Sequence, residues 1–139
     1  MARRAALCAL VIALGLALRW FGPRWGVPIF IVKYAGSALW GTMVYLLVAI
    51  FAARWRPGRV AAAAMTIAIA VEFSRLYHTP SLDAFRLTLA GALLLGRIFS
   101  LWNIVAYAVG IGAGFMMEKK ETLPRRSRAA PIRSSTVRR

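Results

Sequence analysis

The fold this sequence predicts is all-α: a four-transmembrane-helix bundle with a short re-entrant or interfacial helix between helices 3 and 4. Three observations predict it. Of 139 residues, 60% are hydrophobic and only four (Glu72, Asp83, Glu118 and Glu121) are acidic, which is too little polar surface for a chain of this size to cover itself in water. The apolar residues gather in four blocks, Ala5 to Phe21, Tyr34 to Ala53, Arg59 to Tyr77 and Ser100 to Met117, each near the roughly 20 residues that cross a bilayer core. Helix breakers and basic residues stand between the blocks. Each block must be helical, because an isolated strand would leave its backbone groups unsatisfied in lipid.

The first helix is short, and it reaches the headgroups if Arg19 extends its stem while Trp20 lies at the interface. Arg3 and Arg4 ahead of an apolar run resemble a secretory signal, but no small-x-small site follows and the run ends in Arg19-Trp20, which favours an uncleaved helix. Cys8, the single cysteine, excludes an intrachain disulfide and reads as a small hydrophobe. From Gly22 to Lys33 two prolines and two glycines break helix, and the apolar run Val27 to Val32 is expected to dip into the interface. Arg54 to Gly58 is a tight basic turn. Pro80 ends the third helix, and Ser81 to Leu95 reads as a helix too short to span with Arg86 inside it, hence re-entrant or interfacial. Lys119 to Arg139 holds eight basic residues and two prolines. It cannot bury a core and is expected to be disordered, so residues 1–118 form the membrane domain and 119–139 a basic cytoplasmic tail.

The formal charge is +15. It clusters between apolar blocks and in the tail instead of coating one face, so it predicts topology and no specific nucleic acid partner. With the N-terminus in the cytoplasm, thirteen Lys and Arg lie inside and six outside. The positive-inside rule then places both termini in the cytoplasm, in a bacterial inner membrane. A nucleotide-binding glycine loop, a Cys/His cluster and a nucleophile beside a base are all missing from the sequence. No catalytic set, no metal and no cofactor is therefore expected.

That topology brings Arg19, Ser37, Glu72, Arg75, Asp83, Arg86, Asn103 and Tyr107 toward one depth in the outer half, together with His78 and Arg97, as a candidate polar cavity. Glu72 and Arg75 are three apart on one helix face and can pair. Charges inside hydrocarbon cost about 2.5–3.5 kcal/mol on insertion scales, so they pair, face a cavity or work. Asn103, Tyr107, Gly110 and Gly114 make one stripe of the fourth helix, and Ser37 with Gly41 a second small-residue spacing. Gly41, Gly110 and Gly114 are the expected helix-packing positions. Each residue also has a plain structural reading: Glu72 with Arg75 as a pair joining helices, Asp83 as a helix-start charge, and the tryptophans as an interfacial belt.

The strings Tyr34-Ala-Gly-Ser-Ala-Leu-Trp40, Val44-Tyr45, Val71-Glu72-Phe73-Ser74-Arg75-Leu76-Tyr77, Leu82-Asp83-Ala84-Phe85-Arg86, Leu95-Gly96 and Tyr107-Ala108-Val109-Gly110-Ile111 together resemble domain-of-unknown-function family 2809, over most of residues 10–118. More remotely, the third helix with Glu72, the arginine after it and the Asn103-x-x-x-Tyr107-x-x-Gly110 pattern look like the VanZ-like proteins, some of which are linked to glycopeptide-antibiotic resistance at the cell envelope. The resemblance implies a small polytopic inner-membrane protein with its polar cluster in the outer half. Ser37 stands where that family usually shows Asp, Arg75 where it shows Gln, and Asn103 where it shows Asp. Two carboxylates are thereby lost and a cation gained, which favours an anion as ligand.

The expected function is to bind or help process an anionic envelope lipid or lipid-linked phosphate at the outer leaflet, met by Arg19, Arg75, Arg86 and Arg97, with membrane lipids as the partners. A homo-oligomer is compatible with this. Two alternatives stay open: a small proton-coupled transporter working as a dimer through Glu72, and an assembly factor whose glycine faces dock a partner helix.

Overall fold

The computed structural model describes residues 1–88, 90, 91 and 99–127, with side chains as far as Lys119. Among these residues the chain is all-helical: α1 (Ala2–Phe21), α2 (Ile29–Phe51), α3 (Pro57–Ser74), the short α4 (Pro80–Leu87) and α5 (Leu101–Ser127). The expectations placed on Leu95, Gly96, Arg97 and residues 128–139 lie outside the described residues. Among the described residues, three helices are long and apolar enough to cross a membrane: α1, α2 and the Leu101–Lys119 part of α5. The third block is less apolar, because any 18-residue stretch of α3 includes Pro57, Gly58, Arg59, Glu72 and Ser74.

Helix ends follow local chemistry. α1 runs into Gly22 and a 3₁₀ turn, Pro23–Trp25, which closes at Gly26 with φ 73°, a left-handed position that glycine occupies without a Cβ clash. α2 then starts at Ile29, directly after Pro28. The run Val27 to Val32, expected as an interfacial dip, is for the most part the first turn of this helix: Pro28 supplies no N–H, yet its carbonyl accepts from Ile31 and Val32. Pro57 opens α3 in the same way, taking the last part of the expected basic turn into the helix. α3 ends at Ser74, before the expected Tyr77, where Arg75, Leu76 and Tyr77 switch to i→i−3 bonds and Ser74 Oγ donates to the Val71 carbonyl at 2.6 Å.

α2 is the central element, packing against α1, α3 and α5, and α3 also packs on α5. The core lies along these contacts, with Tyr45, Ala49, Val60, Ala64, Ala68 and Tyr107 almost wholly buried. α1 buries only Cys8 and presents Leu10, Ile12 and Leu14 outward, as a lipid-facing helix would.

The closest approach is between α2 and α5. A Cβ on Gly110 would collide with the Ala38 carbonyl, and one on Gly41 with the backbone of Tyr107. Thr42 Oγ1 spans the same contact, bonded to the carbonyls of Ala38 (3.1 Å) and Gly110 (2.9 Å). Gly114 lies against the Tyr45 ring. All three glycines expected at helix contacts are therefore at this one crossing, where lipid supplies no hydrophobic drive and close backbone packing does the work.

Candidate functional site

At one end of the bundle Glu72 is completely buried and both of its carboxylate oxygens are held. Oε2 is 2.6 Å from Arg75 Nη1 and accepts from the Tyr107 hydroxyl at 2.9 Å. Oε1 accepts from the Ser100 backbone N–H at 2.7 Å and from Asn103 Nδ2 at 3.2 Å. The spacing of Glu72 and Arg75 on the last turn of α3 makes their pairing local. Tyr107 and Asn103 reach the carboxylate because they lie on one stripe of α5. Ser100 immediately precedes α5, so Glu72 also satisfies a donor at that helix's N-terminus, where the helix dipole favours an anion. A buried carboxylate is tolerable here because a guanidinium and a helix end compensate it together.

The network continues outward from the carboxylate. Arg75 Nη2 donates to the Tyr107 hydroxyl at 2.9 Å, so that hydroxyl bridges the acid and the base. Ser37 on α2 donates to Asn103 Oδ1 at 3.4 Å, and the Trp40 ring lies against Tyr107 with centroids 4.8 Å apart. The carboxylate and its partners thus tie α2, α3 and α5 together.

Beside it, Arg86 clamps α4 onto the end of α3. Its Nη1 donates to the Tyr77 carbonyl at 2.9 Å and to Asp83 Oδ1 at 3.0 Å, and its Nη2 donates to the Ser74 carbonyl. Terminal helix carbonyls attract cations, which accounts for a guanidinium that is only 3% exposed. Its Nε is buried without a partner among the described residues. Thr79 caps α4 by accepting from the Leu82 N–H at 3.4 Å. Asp83 pairs with the exposed His78 at 3.2 Å. Desolvation pushes the Asp83 carboxyl up, but the hydrogen bonds and charges of His78 and Arg86 together outweigh it and hold the group below its ordinary value. A cleft of about 310 Å³ opens here, lined by His78, Asp83, Arg86 and Leu87.

Of the residues expected to converge, Ser37, Glu72, Arg75, Asn103 and Tyr107 form one bonded group, and Asp83 with Arg86 forms a second group joined to it through the end of α3. The open space borders the second group, while the first is solidly packed. Arg19 stands exposed on the last turn of α1, and no hydrogen bond or ion pair links it to either group. Among the described residues no cluster of three His, Cys, Asp or Glu side chains is placed to hold a metal.

At the opposite end lies a polar cluster that sequence reasoning missed. Arg4 Nε is 2.8 Å from Glu118 Oε1, Arg4 Nη1 donates to the Ala49 carbonyl at 2.6 Å, and Tyr45 donates to Glu118 Oε2 at 2.8 Å. This clasp joins α1, α2 and α5. The signal for it was present in the spacing: four residues past Gly114 on the α5 stripe is Glu118, and four past Gly41 on α2 is Tyr45.

Apolar helices packed through small residues, with a charged network shut inside one end, define a helical membrane protein. Residues 27–111 match the family model described as "Protein of unknown function (DUF2809)". The chain belongs to that family. No solved structure matches it.

Proposed function

We propose that this chain spans the bacterial cytoplasmic membrane four times, with both termini on the cytoplasmic side, and binds the phosphate of a lipid headgroup or lipid-linked precursor in the α4 cleft at the outer surface. Support for the fourth span is the size and setting of α3: its 18 residues make about 27 Å of helix, close to the ~30 Å hydrocarbon core, packed between α2 and α5. Support for the orientation is the excess of thirteen basic residues over six.

The observation that carries the binding reading is Arg86: a buried guanidinium with an unpartnered Nε–H in the wall of a cleft that also holds His78. A buried donor without an acceptor costs about 1–3 kcal/mol, a cost that an anionic oxygen entering the cleft would remove. Arg75 is spent differently. It is committed to Glu72 and Tyr107, so its part is to hold the end of α3 in place while Arg86 and His78 meet the ligand. Proton-coupled transport through Glu72 has less support, because that carboxylate is wholly buried with both oxygens engaged.

The test is a lipid inventory of gently purified protein by native mass spectrometry. Arg86→Lys keeps the charge but loses the forked donors, and His78→Asn alters an exposed side chain at the mouth of the cleft that pairs with Asp83. Both are expected to lower retention of phosphate-bearing lipid severalfold. An inventory identical to wild type in both variants would overturn the proposal.

A further inference from the structure

A second open site lies away from the cleft, between α2 and α3. It is a groove of about 620 Å³, within the roughly 300–1,000 Å³ range of small-molecule sites. Every residue lining it is apolar, chiefly Trp40, Met43, Leu47 and Phe51 on α2 with Ala63 and Ile67 on α3. From Trp40 to Phe51 the groove follows about 16 Å of helix, which is half of the ~30 Å hydrocarbon core and so the depth of one leaflet.

The two ends of the groove differ. One end meets Trp40 and Val71, next to the Glu72 network. The other end, on the cytoplasmic side in the proposed topology, meets Trp55 in the turn between α2 and α3, where Arg54, Arg56 and Arg59 are all exposed. No acidic residue occurs between Ile50 and Val71, so this turn is a concentrated cationic patch at the mouth of an apolar slot. Its chemistry matches a molecule with one long hydrocarbon chain and an anionic head. A helix from a second copy fits less well, because each copy carries a formal charge of +15 and would bring its own basic turns.

We propose that this groove holds an acyl chain of an anionic phospholipid whose phosphate sits among Arg54, Arg56 and Arg59. Arginine forks suit phosphate oxygens, and Trp55 is placed where aromatic side chains favour the headgroup boundary. The phosphate end of the site lies at the opposite end of the bundle from the α4 cleft and does not depend on it.

The test uses the full chain in nanodiscs of phosphatidylcholine and phosphatidylglycerol, with bound lipid counted by native mass spectrometry after release. Two variants separate head from chain: the surface triple Arg54→Gln, Arg56→Gln, Arg59→Gln, and the groove-filling Ala63→Phe. The triple variant is expected to lower the ratio of phosphatidylglycerol to phosphatidylcholine retained by at least about tenfold, given the contribution of each arginine near an anionic surface. Ala63→Phe is expected to remove the same phosphatidylglycerol that the triple variant loses, while circular dichroism stays unchanged. In a His78→Asn background, where the α4 cleft is impaired, the triple variant should still lower the ratio by the same factor, which keeps the site distinct from the α4 cleft. An unchanged ratio in the triple variant overturns the proposal, and so does a protein dimer that occupies the groove and dissociates in Ala63→Phe.

Discussion

Removing the Glu72 carboxylate should be the most damaging single change in the protein. Glu72→Ala withdraws the anion 2.6 Å from Arg75 and leaves Tyr107, Asn103 and the Ser100 N–H without their shared acceptor. Breaking a buried pair by deleting one partner costs about 3–5 kcal/mol, and each hydrogen bond inside a membrane protein adds about 0.6 kcal/mol on average. With three such bonds lost, the expected loss is about 5–7 kcal/mol. The informative comparison is Glu72→Met combined with Arg75→Met, which removes both charges and keeps most of the volume. Exchanging a buried ion pair for packed apolar groups is often close to neutral, so the double variant should be more stable than Glu72→Ala by at least about 2 kcal/mol. Equilibrium unfolding in bicelles, followed by steric trapping, measures both. A Glu72→Ala protein within about 1 kcal/mol of wild type, or a double variant no better than the single, would refute the argument that this network closes the bundle.

Other consequences concern packing and the α4 clamp. Gly110→Ala should force α2 and α5 apart and cost about 1–3 kcal/mol as overpacking, whereas Gly112→Ala, whose Cβ would meet nothing within 4 Å, should be neutral in the same unfolding assay. Thr42→Val, which loses the bond to the Gly110 carbonyl, is expected to cost about 0.6 kcal/mol and no more than about 1.7. Because the folded Asp83 carboxyl lies below its ordinary 3.8, its stabilisation of α4 is fully present above that pH and is lost as pH falls through the depressed folded value. An NMR titration should show that midpoint, and His78→Asn should move it back up. Arg4→Gln should loosen α1 selectively, seen as faster amide exchange along that helix with α3 and α5 unchanged.

Much of the architecture was readable along the chain because hydropathy and helix periodicity are local properties. The apolar blocks marked where helices lie, and the three-residue spacing of Glu72 and Arg75 put them on one face before any packing was known. The stripe of Asn103, Tyr107, Gly110 and Gly114 named the face of α5 that meets α2, since small residues are what allow two helix backbones to touch in lipid. Helix ends were less legible: a proline breaks a helix or starts one depending on which side the chain continues, and Pro28 and Pro57 both start one.

Tertiary structure alone decided which charges find main-chain partners. Arg19 has the same residue type and expected depth as Arg86, yet it stands exposed while Arg86 is shut against the carbonyls of Ser74 and Tyr77. Those acceptors exist only because α3 stops at Ser74 and α4 folds back on it. The donor that completes the Glu72 carboxylate is likewise a backbone N–H at Ser100, which no side-chain pattern announces. Where a charge pays for its burial through main-chain groups, the partner is set by how helices terminate and turn, and composition carries no record of that.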